Sequence, residues 1–96
     1  MSAAALTVRK AILFVTEADR MGETWAQQLA RVLQRLQVQA GDQRVVALIE
    51  QPRLGAQYAV RVVPCLVLDT GQRQVQLTGE LDDIDPARLE SALARR

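Results

Sequence analysis

The chain carries few of the side chains that usually perform catalysis. It has one cysteine, Cys65, and no histidine among its 96 residues, so the commonest general base and the commonest metal ligand in proteins are absent. A single thiol cannot form an internal disulfide, and dithiol exchange needs a second, resolving thiol. Cys65 opens an apolar stretch with no lysine beside it, which favours a buried thiol over a nucleophile. The sequence therefore argues against an enzyme, with monothiol redox chemistry at Cys65 as the alternative.

Acidic residues gather before the last predicted helix without forming a metal-binding motif. Asp82, Asp83 and Asp85 lack the alternating oxygen ligands and the terminal glutamate of a calcium loop. Helix capping explains them, because carboxylates stabilise the N-terminal end of a helix. Gly22 stands without the other glycines of a phosphate-binding loop. We expect neither a metal nor a cofactor.

The overall composition is that of an ordinary globular domain. Apolar residues make up 49% and charged residues 24%, and the net charge is +1. The cations are spread along the chain, so no basic patch for nucleic acid is expected. No apolar run reaches membrane-spanning length, and Arg9 and Lys10 follow the apolar start instead of preceding it as in a signal peptide. We expect one cytoplasmic domain of residues 1–96, with 1–8 as a loose tail and no nucleic-acid or membrane partner.

Hydrophobic patterning predicts four strands. Three continuous apolar runs are typical of strands buried on both faces, and a fourth segment alternates polar and apolar residues like a strand with one solvent-facing side. The first two strands flank a helix and should be parallel, whereas the last two are joined by a short turn and should be antiparallel. The predicted strands cover residues 11–15, 44–50, 65–69 and 74–78.

Three helices are predicted between and after these strands. An apolar stripe with helical spacing runs from Met21 through Trp25 to Leu36, with Thr24 as a candidate N-cap. Gly41 and Asp42 predict a turn after this helix. The two later helices begin at prolines that follow Gln51 and Asp85, because proline suits the first turn of a helix.

The order β-α-β-α-β-β-α, with Val63-Pro64 directly before the third strand, resembles the thioredoxin superfamily. The resemblance covers about residues 10–94 and implies a four-stranded mixed sheet flanked by helices. It also implies a cis peptide bond before Pro64, which lines the docking site for an extended partner. The CxxC motif of that superfamily should lie between the first strand and the first helix, where residues 16–24 contain no cysteine. Oxidoreductase activity is therefore not implied.

Among cysteine-free members of the superfamily, the chain is similar to the circadian-clock KaiB proteins. The similarity rests on chain length, on the short polar loop in place of CxxC, and on the segments Gln51-Pro-Arg-Leu54 and Gly79-Glu-Leu-Asp-Asp83. The chain departs from KaiB after the third strand, where Asp69-Thr-Gly-Gln-Arg73 replaces a proline-rich segment. The resemblance implies a protein that binds an ATPase partner and can switch fold.

The implied topology brings three segments together at one end of the sheet. The first strand ends where the third begins and the fourth ends, so residues 17–23, 61–64 and 79–83 should converge; we call this surface the proline rim. Exposed aliphatic residues, Met21 and either Val62 or Val63, inside a charged surround are typical of a protein-binding patch. The alternative is a set of solvated loop ends with capping acids. The predicted partner-binding residues are Glu17, Asp19, Arg20, Met21, Arg61, Val63, Pro64, Gly79, Glu80 and Asp82.

Three functions thus stay open at this point. The first is a non-enzymatic adaptor that binds another protein through the proline rim. The second is monothiol redox chemistry at Cys65. The third is a structural subunit, including a homo-oligomer, assembled through a sheet edge or a helix face. Trp25 is expected to pack in the core, whereas Tyr58 could serve packing or partner binding.

Overall fold

The sheet and helices follow the predicted order. The computed structural model describes residues 6–17 and 24–94, and its sheet has the strand order β2-β1-β3-β4. No helix in these ranges is both long and apolar enough to span a bilayer. A single-turn 3₁₀ helix, Leu81–Asp83, precedes the last helix. The other elements are β1 (Leu6–Val15), α1 (Trp25–Leu36), β2 (Val38–Ala47), α2 (Pro52–Gln57), β3 (Cys65–Asp69), β4 (Gln74–Thr78) and α3 (Pro86–Ala94).

The strand directions confirm the expected mixed sheet. β1 runs parallel to β2, from Leu6 opposite Val38 to Val15 opposite Ala47. β3 is antiparallel to both β1 and β4. Helix α1 connects the parallel pair, because parallel strands need a long crossover, whereas a short turn suffices between β3 and β4. The thioredoxin-like fold class predicted from the sequence is therefore present.

Two hydrophobic clusters cover the two faces of the sheet. On one face, α1 and α3 supply Leu29, Leu33 and Leu89 to a cluster that contains Leu13 and Leu66. Trp25 packs against this cluster, as expected. On the other face, α2 and the residues after it cover a smaller cluster made of Ile12, Phe14, Val46, Cys65 and Val67. The central strands β1 and β3 are thereby covered on both faces, which explains their continuous apolar runs.

Side-chain caps define where α1 and α3 begin. The Thr24 hydroxyl accepts a hydrogen bond from the Gln27 backbone N–H at 3.1 Å, and the Gln27 side chain accepts one from the Thr24 N–H at 3.0 Å. This reciprocal pair is a capping box. At α3, an Asp85 carboxylate oxygen accepts from the Arg88 backbone N–H at 2.9 Å. Both predicted caps are therefore confirmed.

The first strand is longer than predicted, so the expected tail of residues 1–8 is wrong for its last three residues. β1 begins at Leu6, and Val8 is only 2% exposed. Leu6 also donates its N–H to the Gln37 carbonyl at 3.0 Å. The physical reason is pairing with β2, which begins at Val38 and draws the polar start of β1 into the sheet. Residues 1–5 lie outside the described ranges.

The turn predicted at Gly41 and Asp42 is also wrong, because both residues lie inside β2. Helix α1 instead ends at Leu36 and is capped by Gln37, which adopts a left-handed backbone with φ 59°, and β2 starts at the next residue. A side chain at Gly41 would place its Cβ 3.2 Å from the Arg9 carbonyl oxygen, so glycine permits a close approach between the two strands. Gly41, a residue type that is common in turns, therefore allows β1 and β2 to pair closely at this position.

The predicted second strand, 44–50, ends too late. β2 stops at Ala47, and the next three residues form a turn that leaves Ile49 67% exposed. The run from Val45 to Ile49 is uniformly apolar, so its pattern does not mark where pairing stops. This correction places an exposed aliphatic side chain at the end of the sheet that carries the proline rim.

Candidate functional site

Strand register brings two of the predicted rim segments into contact. Phe14 lies opposite Cys65, and Cys65 lies opposite Thr78, so the end of β1, the start of β3 and the end of β4 share one end of the sheet. The Gly79 N–H donates to the Pro64 carbonyl at 3.1 Å. Residues 61–64 and 79–83 are therefore joined directly by a backbone hydrogen bond.

The segment that follows β1 reaches the same end of the sheet. Glu17 is exposed, and its carbonyl accepts a hydrogen bond from the Trp25 indole N–H at 3.2 Å. The preceding carbonyl, of Thr16, accepts from the Ile49 N–H at 3.2 Å. These bonds tie Thr16 and Glu17 to α1 and to the turn after β2. The predicted residues Asp19, Arg20 and Met21 lie outside the described ranges.

In the segment before β3, the exposed aliphatic residue is Val62. The Val63-Pro64 peptide bond is cis, Arg61 is exposed and Pro64 is partly buried. The Val62 side chain is 55% exposed, whereas Val63 packs against the smaller core cluster. Val63 is partly exposed and anchors the segment, and Val62 is the more exposed of the two alternatives. The place of Val63 on a partner-binding surface stays a prediction.

The course of this segment is set by the end of α2. Ala59 adopts a left-handed backbone with φ 55°, and the Val60 N–H donates to the Gly55 carbonyl at 2.9 Å. The chain thereby turns back under the sheet, where Tyr58 packs on Phe14 with ring centroids 5.7 Å apart. Tyr58 therefore contributes to packing, and because the residue is only partly buried its role in partner binding stays a prediction.

The segment after β4 is held by backbone geometry and one buried side chain. Gly79 has a φ of 107°, which residues with a side chain rarely adopt. Leu81 is only 4% exposed and packs into the larger core cluster. Glu80 and Asp82 point outward and are exposed. The buried Leu81 thus lies between two exposed acids, and Glu80 and Asp82, both predicted rim residues, are at the surface.

Two arginines position this segment by binding carbonyl oxygens. The Arg35 guanidinium of α1 donates to the carbonyls of Leu81 at 2.5 Å and Ile84 at 2.8 Å. Arg88 of α3 donates to the Thr78 carbonyl at 2.7 Å. Arg35 reaches across 46 positions of sequence to Leu81, so no local pattern indicated this role. The sequence interpretation missed both arginines.

We expect Arg35→Ala to loosen the 79–83 segment and lower the free energy of unfolding by about 1–3 kcal/mol, because two carbonyls lose a charged donor. Urea titration would measure the loss. Hydrogen exchange at the amides of Asp83 and Ile84 should accelerate more than exchange in β3. Gln34→Ala, an exposed change on the same helix, is the matched control. Equal stability of the two variants would contradict the positioning role.

Ile49 is the functional candidate that the sequence missed. Ala47 lies opposite Val15, so the turn after β2 emerges at the same end of the sheet as the proline rim. Ile49 and Val62 are the two large hydrophobic side chains that are exposed in the described ranges. The described charges of the rim are Glu17, Arg61, Glu80, Asp82 and Asp83. This end of the sheet therefore carries two exposed aliphatic side chains and mainly acidic charges.

Cys65 lies directly beneath this surface but does not reach it. The residue is 0% exposed, and its sulfur lies 3.9 Å from the Gln76 side-chain oxygen. Burial raises the pKa of the thiol from an ordinary 9.0 to about 11. At neutral pH the thiol is therefore protonated, and the thiolate that acts as a nucleophile is scarce.

These observations define the chain as an α/β domain with a thioredoxin-like strand order and a single, buried cysteine. No protein-family model matches the sequence, and no curated protein matches it. Among solved structures, the chain is similar to a mutant thioredoxin from Halobacterium salinarum NRC-1, with 21% identity and a TM-score of 0.49. That match covers 100% of this chain and 99% of the thioredoxin.

Proposed function

We propose that this chain is a non-enzymatic protein-binding module that docks another protein on the proline rim and the adjoining Ile49. The observation that carries the proposal is the exposure of Ile49 and Val62 at one end of the sheet, 67% and 55% respectively. Large aliphatic side chains in a polar surround are typical of the centre of a binding patch. Their placement on short, well-anchored loops limits the entropy lost on binding.

The chemistry of the site supports binding over catalysis. The described acids of the rim, Glu17, Glu80, Asp82 and Asp83, are all exposed to solvent. Cys65 is buried, and its raised pKa opposes thiolate chemistry. The backbone offers a further contact, because Val62 and Val63 form no backbone hydrogen bond to the described residues. An extended partner segment can pair with such groups.

The KaiB resemblance supports the proposal at the level of a thioredoxin-like adaptor without a CxxC motif. Two of the segments that carry it border the surface described above: Gln51-Pro-Arg-Leu54 follows the turn that holds Ile49, and Gly79-Glu-Leu-Asp-Asp83 is part of the rim. The partner proposed for the rim is a protein, and no ATPase activity is ascribed to that partner.

Charge reversal on the rim tests this function. Affinity-tagged chain should capture a partner from native cell extract, and Arg61→Glu and Glu80→Arg should each weaken capture by at least about tenfold, because complementary charges orient such contacts. Val62→Asp should do the same by placing a charge in the apolar centre. Affinities are then measured on the purified pair by calorimetry.

The matched control is Glu90→Arg, which reverses an exposed charge in the middle of α3 and should leave affinity unchanged. Circular dichroism should show that all variants keep the native fold. The proposal would be refuted if all three single variants, Arg61→Glu, Glu80→Arg and Val62→Asp, captured the partner as well as the wild-type chain does, because the binding surface would then lie elsewhere.

A further inference from the structure

The outer edge of the sheet at β2 is long and self-complementary. β2 contains ten residues and, within the described part of the chain, pairs only with β1. An edge strand presents a row of unpaired backbone N–H and C=O groups that can template another strand. The opposite edge, β4, has five residues, and Arg88 already occupies its Thr78 carbonyl. β2 is therefore the larger edge for pairing.

Natural proteins block such edges with proline, lysine or very short strands, and β2 contains none of these. Three of its four exposed positions are small or neutral, namely Gln39, Gly41 and Gln43. The charges of the strand are Asp42 and Arg44, whose side chains are 40% and 58% exposed and form an ion pair of 2.7 Å. The two residues are separated by one position, so they lie on the same face.

We infer that β2 pairs with β2 of a second copy of this chain, antiparallel, about a two-fold axis at Gln43. In a two-fold antiparallel pair, one residue lies opposite its own copy at the axis, and an interface of this kind uses the same patch on both subunits. With Gln43 at the axis, Asp42 faces Arg44 of the second copy, and Arg44 faces Asp42 of the second copy. Each strand then contributes residues 39–47.

The neighbouring registers are electrostatically unfavourable. With Asp42 at the axis, two carboxylates face each other, and with Arg44 at the axis, two guanidinium groups do so. Like charges directly opposite on adjacent strands destabilise a sheet, whereas opposite charges stabilise it. The two charges of β2 therefore favour the Gln43 register over both of these neighbours, because it is the register that places opposite charges face to face. The paired copies would form a continuous eight-stranded sheet.

Self-pairing through β2 is independent of partner binding at the proline rim. β2 ends at the proline rim, so antiparallel pairing places the two rims at opposite ends of the joint sheet. A dimer of this kind would present two identical rims that point away from each other. The partner-binding surface and the self-association surface do not overlap on the strand.

A charge-exchange experiment tests the pairing. By sedimentation velocity at low salt, the wild-type chain should dimerise, and Asp42→Arg or Arg44→Asp alone should raise the dissociation constant by about tenfold or more, because attractive pairs become repulsive. An equimolar mixture of these two variants should form heterodimers, since each Arg then faces an Asp. The double variant Asp42→Arg/Arg44→Asp should dimerise like wild type. Glu90→Arg is the control and should not change the dissociation constant.

The mixture of Asp42→Arg and Arg44→Asp distinguishes a loss of strand pairing between chains from a loss of folding within each chain. Each single variant also places like charges beside each other within its own chain, and mixing cannot relieve that repulsion. A wild-type chain that stays monomeric at millimolar concentration, or a mixture that forms no heterodimer, would overturn the inference.

Disulfide trapping tests the register. In a Cys65→Ala background, Gln43→Cys should give a covalent dimer on mild oxidation, because a residue at the axis lies within disulfide distance of its copy. Gln39→Cys faces Ala47 of the second copy and should not cross-link. Equal cross-linking of both variants would exclude the Gln43 axis.

Discussion

Phe14→Ala should lower the free energy of unfolding by about 3–5 kcal/mol, the usual loss when a buried phenylalanine is truncated. Phe14 is 0% exposed and is the largest side chain of the smaller core cluster. It also supports Tyr58, whose ring centroid lies 5.7 Å from that of Phe14. Such a loss is a large part of the 5–15 kcal/mol that stabilises a typical domain. Urea titration monitored by circular dichroism would measure it.

The consequence for the proline rim distinguishes this cluster from the rest of the core. Val60 and Val63 pack against the smaller cluster, whereas α1 packs against the larger one. Phe14→Ala should therefore loosen the 61–64 segment more than it loosens α1. Phe14→Leu, which nearly conserves volume, should cost less than about 1.5 kcal/mol and serves as the control. If Phe14→Ala and Phe14→Leu were equally stable, the cluster would not support the site as described.

Alkylation of Cys65 by iodoacetamide should be about a hundredfold slower or more in the native chain than in the unfolded chain at pH 7–8. A shift of the pKa from 9.0 to about 11 lowers the thiolate fraction by about that factor, and complete burial also blocks access. Mass spectrometry of the native and urea-unfolded chains would measure both rates. Native Cys65 that reacts as fast as a free thiol would favour the monothiol alternative.

The same shift makes stability depend on pH in a defined window. Because burial raises the pKa of Cys65, the folded state holds the thiol proton more tightly than the unfolded state between pH 9 and about 11. The free energy of unfolding is unaffected by titration of this thiol below pH 9 and falls by up to about 2–3 kcal/mol as the pH rises from 9 to about 11. Cys65→Ala should lack this decline, so the difference between the two chains isolates the thiol from other titrating groups.

Local sequence patterns correctly predicted those elements whose boundaries are set by residues adjacent in sequence. The strands at residues 65–69 and 74–78 match β3 and β4, because each is bounded by a proline, a glycine or a polar turn. The caps at Thr24 and Asp85 are local hydrogen bonds between residues three apart. The absence of a cysteine pair and of histidine is a property of composition and needs no coordinates.

Tertiary contacts decided the features that the patterns missed. Leu6 belongs to β1 because it pairs with Val38, the first residue of β2. Gly41 lies within β2, where the absence of a side chain lets the Arg9 carbonyl oxygen approach closely. Ile49 is exposed because pairing with β1 ends at Ala47, although its own sequence context is apolar. The Arg35 contacts with the rim span more than 40 positions.

The sequence by itself thus determined the elements, the helix starts and the presence of a single thiol, since these follow from periodicity, caps and residue types. The thioredoxin-like topology was predicted from the resemblance to that superfamily. Which aliphatic side chains face solvent at the rim was decided by strand register and by the packing of Val63 on the smaller cluster. The reason is that exposure depends on which distant residues cover a side chain, and that information lies in the assembled sheet.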